Sequence, residues 1–185
     1  LTPAGERFLD IAERMEGDMI AARSTVSGEG DDISGTVRIG APDGFGVAFL
    51  ATRLGALTAL HRELTIQLVP VPRSFSLSRR EADIAITVER PSEGRLVAGK
   101  LVDYTLGLFA SRGYVEAHGL PRTSAELSQH TLIGYVPDLI VSPSLDYAAE
   151  FSPDWRTSFA ISSALGQAEA VRSGAGIGIL HTFVA

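Results

Sequence analysis

The sequence predicts an α/β protein of two lobes joined by crossing strands and preceded by a dimerising helix. Three observations point there. From residue 36 onward, β-branched and apolar runs alternate with helical stripes, the pattern of parallel strands covered by helices. A second such alternation follows toward the end of the chain. Ahead of both stands an amphipathic segment, set off by the polar, Gly-rich stretch STVSGEGDDISG at residues 24–35.

The leading segment has the marks of a helix start. Thr2 is a capping residue, Pro3 suits the first helical position, and Glu6 and Asp10 lie near the positive end of the dipole. Phe8, Ala12, Met15, Met19, Ala22 and Val26 then recur at alternating spacings of four and three, a coiled-coil-like seam, while Glu6, Arg7, Glu13, Arg14 and Asp18 are charged. An isolated amphipathic helix needs a partner for its apolar stripe. Dimerisation is favoured over packing on the helix's own domain.

The first lobe opens with a strand at residues 36–41 (TVRIGA), a tight loop at Pro42, Asp43 and Gly44, and a helix over 45–61 with a Phe49, Leu50, Leu54, Leu57, Leu60 stripe. A second strand follows at 65–71 (TIQLVPV), a short helix or turn at 74–81 and a third strand at 83–88 (DIAITV). Two antiparallel strands are expected at 95–103 and 105–110. The second lobe then has helix signals at 113–118 and 124–129, a strand at 132–136, an irregular stretch at 137–152 and a strand at 155–162. Ser163 caps a helix over 164–173, Gly174-Ala175-Gly176 ends it, and a last strand covers 177–180. Ligands of open α/β sheets sit at strand-end loops, so a cleft between the lobes is the expected site.

Composition narrows the function classes. The formal net charge is −6 and the 16 basic residues are scattered, with Arg79–Arg80 and the flanking Arg73 as the densest run. Phosphate contacts need clustered Lys and Arg, so this part of a protein is not expected to hold nucleic acid by itself. There is no cysteine, which excludes disulfides and Cys-ligated metals, and His61, His118, His130 and His181 show no metal-ligand spacing. No metal or cofactor is expected. No apolar run approaches the ~20 residues of a membrane helix, and residues 1–10 lack the basic-then-apolar order of a signal peptide. Because the chain opens at Leu1 rather than Met, it reads as a fragment.

Two motifs tempt. GRLVAGK at residues 94–100 fits GxxxxGK, but Leu101 stands where a phosphate loop needs Ser or Thr, and the segment runs into a strand, not a helix. GAGIG at 174–178 lies between a helix and a strand, the reverse of a dinucleotide fingerprint. No GxSxG nucleophile elbow exists, and nothing singles out a carboxylate pair, so no enzyme is expected.

Four segments together resemble the LysR-type transcriptional regulators. LTPAGERFL at 1–9 is similar to the family's junction between its winged helix-turn-helix and linker helix. GTVRIGAPDGFG at 35–46 resembles the first strand and loop of the effector domain, EADIAI at 81–86 its third strand, and AVRSGAGIGIL at 170–180 its late helix-turn-strand. Each is weak alone; their order spans nearly the whole chain. The resemblance implies two Rossmann-like lobes of the periplasmic-binding-protein type II-like kind. Residues 1–30 would be the end of the winged helix-turn-helix and the linker helix, and 36–185 the effector domain. Lobe I would run over about 36–104 and lobe II over about 105–181, without the C-terminal strand and helix that complete lobe I.

The resemblance further implies a cytoplasmic regulator that binds a small-molecule effector, a carboxylate or an aromatic compound, between its lobes. Promoter DNA would be bound through a domain ahead of Leu1, as a homodimer or homotetramer, with no membrane. Carried over residue by residue, the effector contacts would be Pro42, Asp43 and Gly44, then Arg73, Ser74 and Phe75, then Thr87, with Tyr135, Val136 and Ser162 from the second lobe. Arg73 and free backbone N–H groups near Gly44 suit an anion. Asp43 opposes that and suits an amine or hydroxyl, and a helix-cap role for Asp43 with a solvated Arg73 stands equally open. The 71–83 stretch is shorter than in relatives. The alternative is an extracellular two-lobed solute-binding protein, against which the seam helix speaks.

Overall fold

The computed structural model describes residues 2–26, 33–71, 82–90, 96–140 and 147–185. Leu1–Ser34 forms one unit and Gly35–Ala185 another.

In the first unit, helix α1 spans Pro3–Val26. Thr2 caps it, its Oγ1 accepting from the Gly5 N–H at 3.2 Å. Phe8, Met15 and Met19 of the predicted seam are 73%, 67% and 70% exposed, and Ile11 joins them at 47%. Ala12 is half-buried and Ala22 exposed; Val26 closes the helix. Of the described seam side chains, Phe8, Met15, Met19 and Ala22 are exposed.

The first sheet of the second unit contains β1 (Gly35–Pro42), β2 (Leu64–Val71) and β3 (Ile84–Ala85), all parallel, in the order β2-β1-β3. The expected tight loop after β1 is absent. Pro42 is still extended, and helix α2 (Asp43–Phe45) begins at once, continuing through a π-helical turn at Gly46–Leu50 into α3 (Ala51–Leu60). Asp43 and Gly44 therefore sit in a first helical turn. A Cβ on Gly46 would lie 2.9 Å from the Pro70 Cβ, so glycine lets this helix lie close on β2. The run Asp43–Leu60 has 18 residues and a hydropathy of 1.2, longer and more apolar than the sequence reading allowed, and enough to span a membrane by length and composition. Its packing against β2 is that of a crossover helix on a parallel sheet.

The third strand is shorter than expected. Backbone bonds from Asp83 to the Arg38 carbonyl (2.9 Å) and from Ile86 to the Gly40 carbonyl (2.8 Å) flank it, after which Thr87 bonds the Glu89 carbonyl and the chain leaves the sheet. The predicted strand at 95–103 does not form: residues 96–105 have no regular structure, and Leu96, Val97, Leu101 and Val102 are exposed. β-propensity without a partner edge makes no strand. Lys100 pairs with Asp103 at 2.7 Å, and no helix follows the phosphate-loop-like Gly99-Lys100.

The second sheet has the order β4-β7-β5-β6, with β4 at Leu106–Ala110, β5 at Leu132–Gly134, β6 at Thr157–Ala160 and β7 at Ile177–His181. β5 runs parallel to both neighbours and β4 antiparallel to β7. Helices α4 (Arg112–His118), α5 (Ser124–Leu127), α6 (Ala148–Phe151) and α7 (Ala164–Arg172), with a 3₁₀ turn at Pro137–Leu139, complete the unit. Leu132 and Ile133, each 1% exposed, are successive residues of β5 and point to opposite faces. Leu132 joins Tyr114, Leu127, Trp155 and Ile177; Ile133 joins Ala170, Val171 and Leu180. β6 starts later than expected because Trp155, 3% exposed, turns inward and donates its Nε1–H to the His130 carbonyl at 3.0 Å.

The glycine-dense segment is packing, not phosphate binding. Gly174, at φ 87°, ends the α7 turn, while a Cβ on Gly176 would stand 2.5 Å from the Thr131 carbonyl oxygen and one on Gly178 2.6 Å from Val171. His118 and His130 bond around the buried Tyr114 rather than to each other: the Tyr114 hydroxyl meets the half-buried His130 Nδ1 at 3.2 Å, and Nδ1 of the exposed His118 meets the Tyr114 carbonyl at 3.1 Å. Among the described residues, no cluster of His, Asp or Glu suits a metal.

Candidate functional site

The two sheets meet where the end of β1 faces the start of α7. Ser163 makes that meeting specific. As N-cap it accepts from the Gly166 N–H at 3.1 Å, and its hydroxyl donates to Asp43 Oδ2 at 2.6 Å. The same Oδ2 accepts weakly from the Leu165 N–H at 3.4 Å. Asp43 thus meets the start of α7 through two donors on one carboxylate oxygen. Gly44 brings the backbones together: a Cβ there would lie 3.0 Å from that of Ala164 and 3.5 Å from the Val184 Cγ2.

The crossing segments add an aromatic row. The Phe49 ring stacks on Phe45 (4.9 Å between centroids), Phe45 meets Phe183 edge-on (5.7 Å), Phe183 meets His181 (5.2 Å) and His181 meets Tyr104 (5.0 Å). The Tyr104 and Tyr147 hydroxyls are 3.2 Å apart. Beside this row the ends of β4 and β7 are pinned by the Thr105 and Thr182 hydroxyls at 2.9 Å.

The Asp43 charge is felt across the edge. Burial pushes the Tyr135 phenol up to about 12, with the negative Asp43 adding to the shift. Tyr147 is raised by burial and by its bond with Tyr104. Burial lowers His181 below 6.5, with Asp43 pulling the other way. At neutral pH the phenols are uncharged hydrogen-bonding groups and the imidazole is predominantly neutral.

Of the predicted contact residues, Asp43 and Gly44 meet the α7 start, Pro42 directly precedes them, and Tyr135 lies within electrostatic reach of Asp43. Ser162 is one residue from the contact that Ser163 makes, so the capping residue, not its predecessor, bridges the sheets. Val136 is half-buried past β5, its carbonyl accepting from the Leu139 N–H at 3.0 Å. Thr87 is exposed and turned to Glu89. Arg73, Ser74 and Phe75 lie outside the described residues. Tyr104, Tyr147, Ser163, His181 and Phe183 were not foreseen as contacts; nothing in their local sequence marks them, because they converge from segments far apart. A separate open cavity of about 280 Å³, lined by residues including Leu108, Leu120, Arg122, Phe151 and Ile177, contains none of the predicted residues.

Two α/β sheets joined by crossing segments, with strand-end residues facing each other, define a periplasmic-binding-protein type II-like fold. Residues 30–185 match the family described as LysR substrate binding domain. The chain belongs to that family. Among curated proteins it is 26% identical over 134 residues to an uncharacterized HTH-type transcriptional regulator of Haemophilus influenzae, covering 72% of this chain and 46% of the relative. It is 26% identical over 143 residues to the uncharacterized HTH-type regulator YhjC of Escherichia coli, covering 77% and 48%. The chain thus spans about half the length of these relatives. In fold it is similar to the regulatory domain of CrgA, a LysR-type transcriptional regulator from Neisseria meningitidis, with a TM-score of 0.72 at 24% identity over 82% of this chain and 75% of that one. Full-length AphB of Vibrio cholerae, a virulence activator, aligns at a TM-score of 0.65 and 23% identity over 99% and 63%.

Proposed function

We propose that this chain is the effector-sensing and self-associating part of a longer, cytoplasmic LysR-type transcriptional regulator. A small molecule binds where the two sheets meet, no bond is made or broken, and the ligand acts by biasing lobe closure and with it dimer or tetramer geometry. Linkage requires that the ligand bind the two quaternary states unequally. Promoter DNA is contacted by a domain outside these 185 residues, consistent with the formal charge of −6.

The observation that carries this reading is the meeting of β1 and α7 through Asp43 and Ser163, which sets polar groups from both sheets around one edge. The boundary proposed between linker helix and effector domain lies within residues 30–36. Contacts are proposed for Pro42, Asp43, Gly44, Tyr135, Val136 and Ser162, with Arg73, Ser74, Phe75 and Thr87 completing the rim. Membership of the LysR family favours this over a solute-binding protein.

A metabolite screen by thermal shift, followed by amide NMR of each hit, tests it. Hits are expected to move the amides of residues 43–44 and 163–166. Hits that move only residues around Leu120 and Phe151 would relocate the site to the other cavity and overturn the proposal.

A further inference from the structure

Among the described residues, the charges at the edge between the sheets are negative. Asp43 is held by Ser163 and Leu165 through one oxygen, Oδ2. Among the described residues no hydrogen bond to Oδ1 exists, so half of the carboxylate is left to accept. Among the described residues, the groups in its field are the Tyr135 phenol, uncharged at neutral pH, and the predominantly neutral His181; the Phe183 ring packs between His181 and Phe45, and Tyr104 links His181 to Tyr147. Among the described residues, Glu150, which acts on Tyr147, has the same sign. The aromatic row already takes a cation at its far end, where the Arg53 guanidinium lies 3.8 Å from the Phe49 ring centroid.

An acid placed here would meet Asp43 across a half-buried boundary, where like charges repel strongly. It would also find the Ser163 hydroxyl and Leu165 N–H already engaged. An ammonium finds a free carboxylate oxygen and ring faces whose quadrupoles attract it.

Resting on the effector-site reading above, we propose that Asp43 is the specificity-determining residue of the cleft and that the ligand is an organic cation, an amine in its ammonium form, not a carboxylate. Ser163 is a positioning residue: it holds Asp43 in place and touches the ligand only through it.

The experiment uses the 185-residue chain and matched probes: benzylamine, benzoate and benzyl alcohol, with their phenethyl homologues. Affinities are measured by calorimetry on the wild type and on Asp43→Asn, which keeps an oxygen to accept from Ser163 and so keeps the sheet contact. Wild type is expected to bind the ammonium probes at least about tenfold more tightly than the carboxylates. Asp43→Asn is expected to erase that preference while the alcohols change less than about threefold. Ser163→Ala, with the charge still present, is expected to keep the sign of the preference and narrow it. Carboxylate probes that bind the wild type more tightly than the amines overturn the inference and leave the effector-site reading standing. An amine preference that survives Asp43→Asn overturns the assignment to Asp43. Binding of no probe class counts against both.

Discussion

Replacing Ser163 by alanine removes two interactions at once, and their sizes follow from the geometry. The α7 N-cap bond to Gly166, at 3.1 Å, is of a kind whose loss costs about 1 kcal/mol. The 2.6 Å bond to the Asp43 carboxylate is charge-assisted, worth about 1.5 kcal/mol, discounted because Asp43 is only half-buried and water replaces part of it. Ser163→Ala should therefore lower unfolding stability by about 2 kcal/mol, or about 4–8 °C in Tm for a chain of this size. Urea denaturation with linear extrapolation gives the single-mutant value, and Asp43→Ala and the double mutant complete a cycle. The coupling energy should be about 1 kcal/mol, because the two residues share the bond that either substitution breaks. A Ser163→Ala cost below about 0.5 kcal/mol, or strict additivity in the cycle, would mean that the contact between the sheets is not made in solution.

Gly176→Ala places a Cβ 2.5 Å from the Thr131 carbonyl oxygen, a backbone atom, and should cost at least about 2 kcal/mol. Gly113→Ala, inside α4 with nothing within 4 Å, should be neutral or stabilise by up to about 1 kcal/mol; the same denaturation assay compares them. His181 is held below 6.5 by burial, so its contribution to stability is present above pH 6.5 and is lost as the pH falls below that value. His181→Phe should flatten the acid side of the stability profile, and NMR titration of the wild-type ring should show the lowered midpoint. Met19→Asp puts a charge in the α1 seam, where Met19 is 70% exposed, and should drive the mass seen by light scattering toward the 19.6 kDa of one chain. An unchanged oligomer would move self-association away from α1.

Much of the architecture follows from local pattern. The α1 seam, the Ser163 cap, the positive-φ Gly174 and the β1 and β2 runs are each set by neighbours within a few residues, where propensity and periodicity act. The sequence also carried the family, through segments whose order matters more than their individual strength. It misjudged residues 95–103, where β-branched and apolar side chains suggested a strand and no partner edge among the described residues completes one. It also placed the first turn of α2 in a loop, because glycine and proline near a strand end signal a turn as readily as the entry to a helix.

The site divides along the same line. Pro42, Asp43 and Gly44 were named through the family resemblance, and the end of β1 that carries them was legible from the strand pattern alone. That Asp43 answers to Ser163 was not, since 120 residues separate them and only the closing of one sheet against the other makes them neighbours. The same holds for the row from Phe45 through Phe183 and His181 to Tyr104. Local sequence determines which residues end strands and begin helices; long-range packing decides which of those ends face each other, and so which charges are brought together.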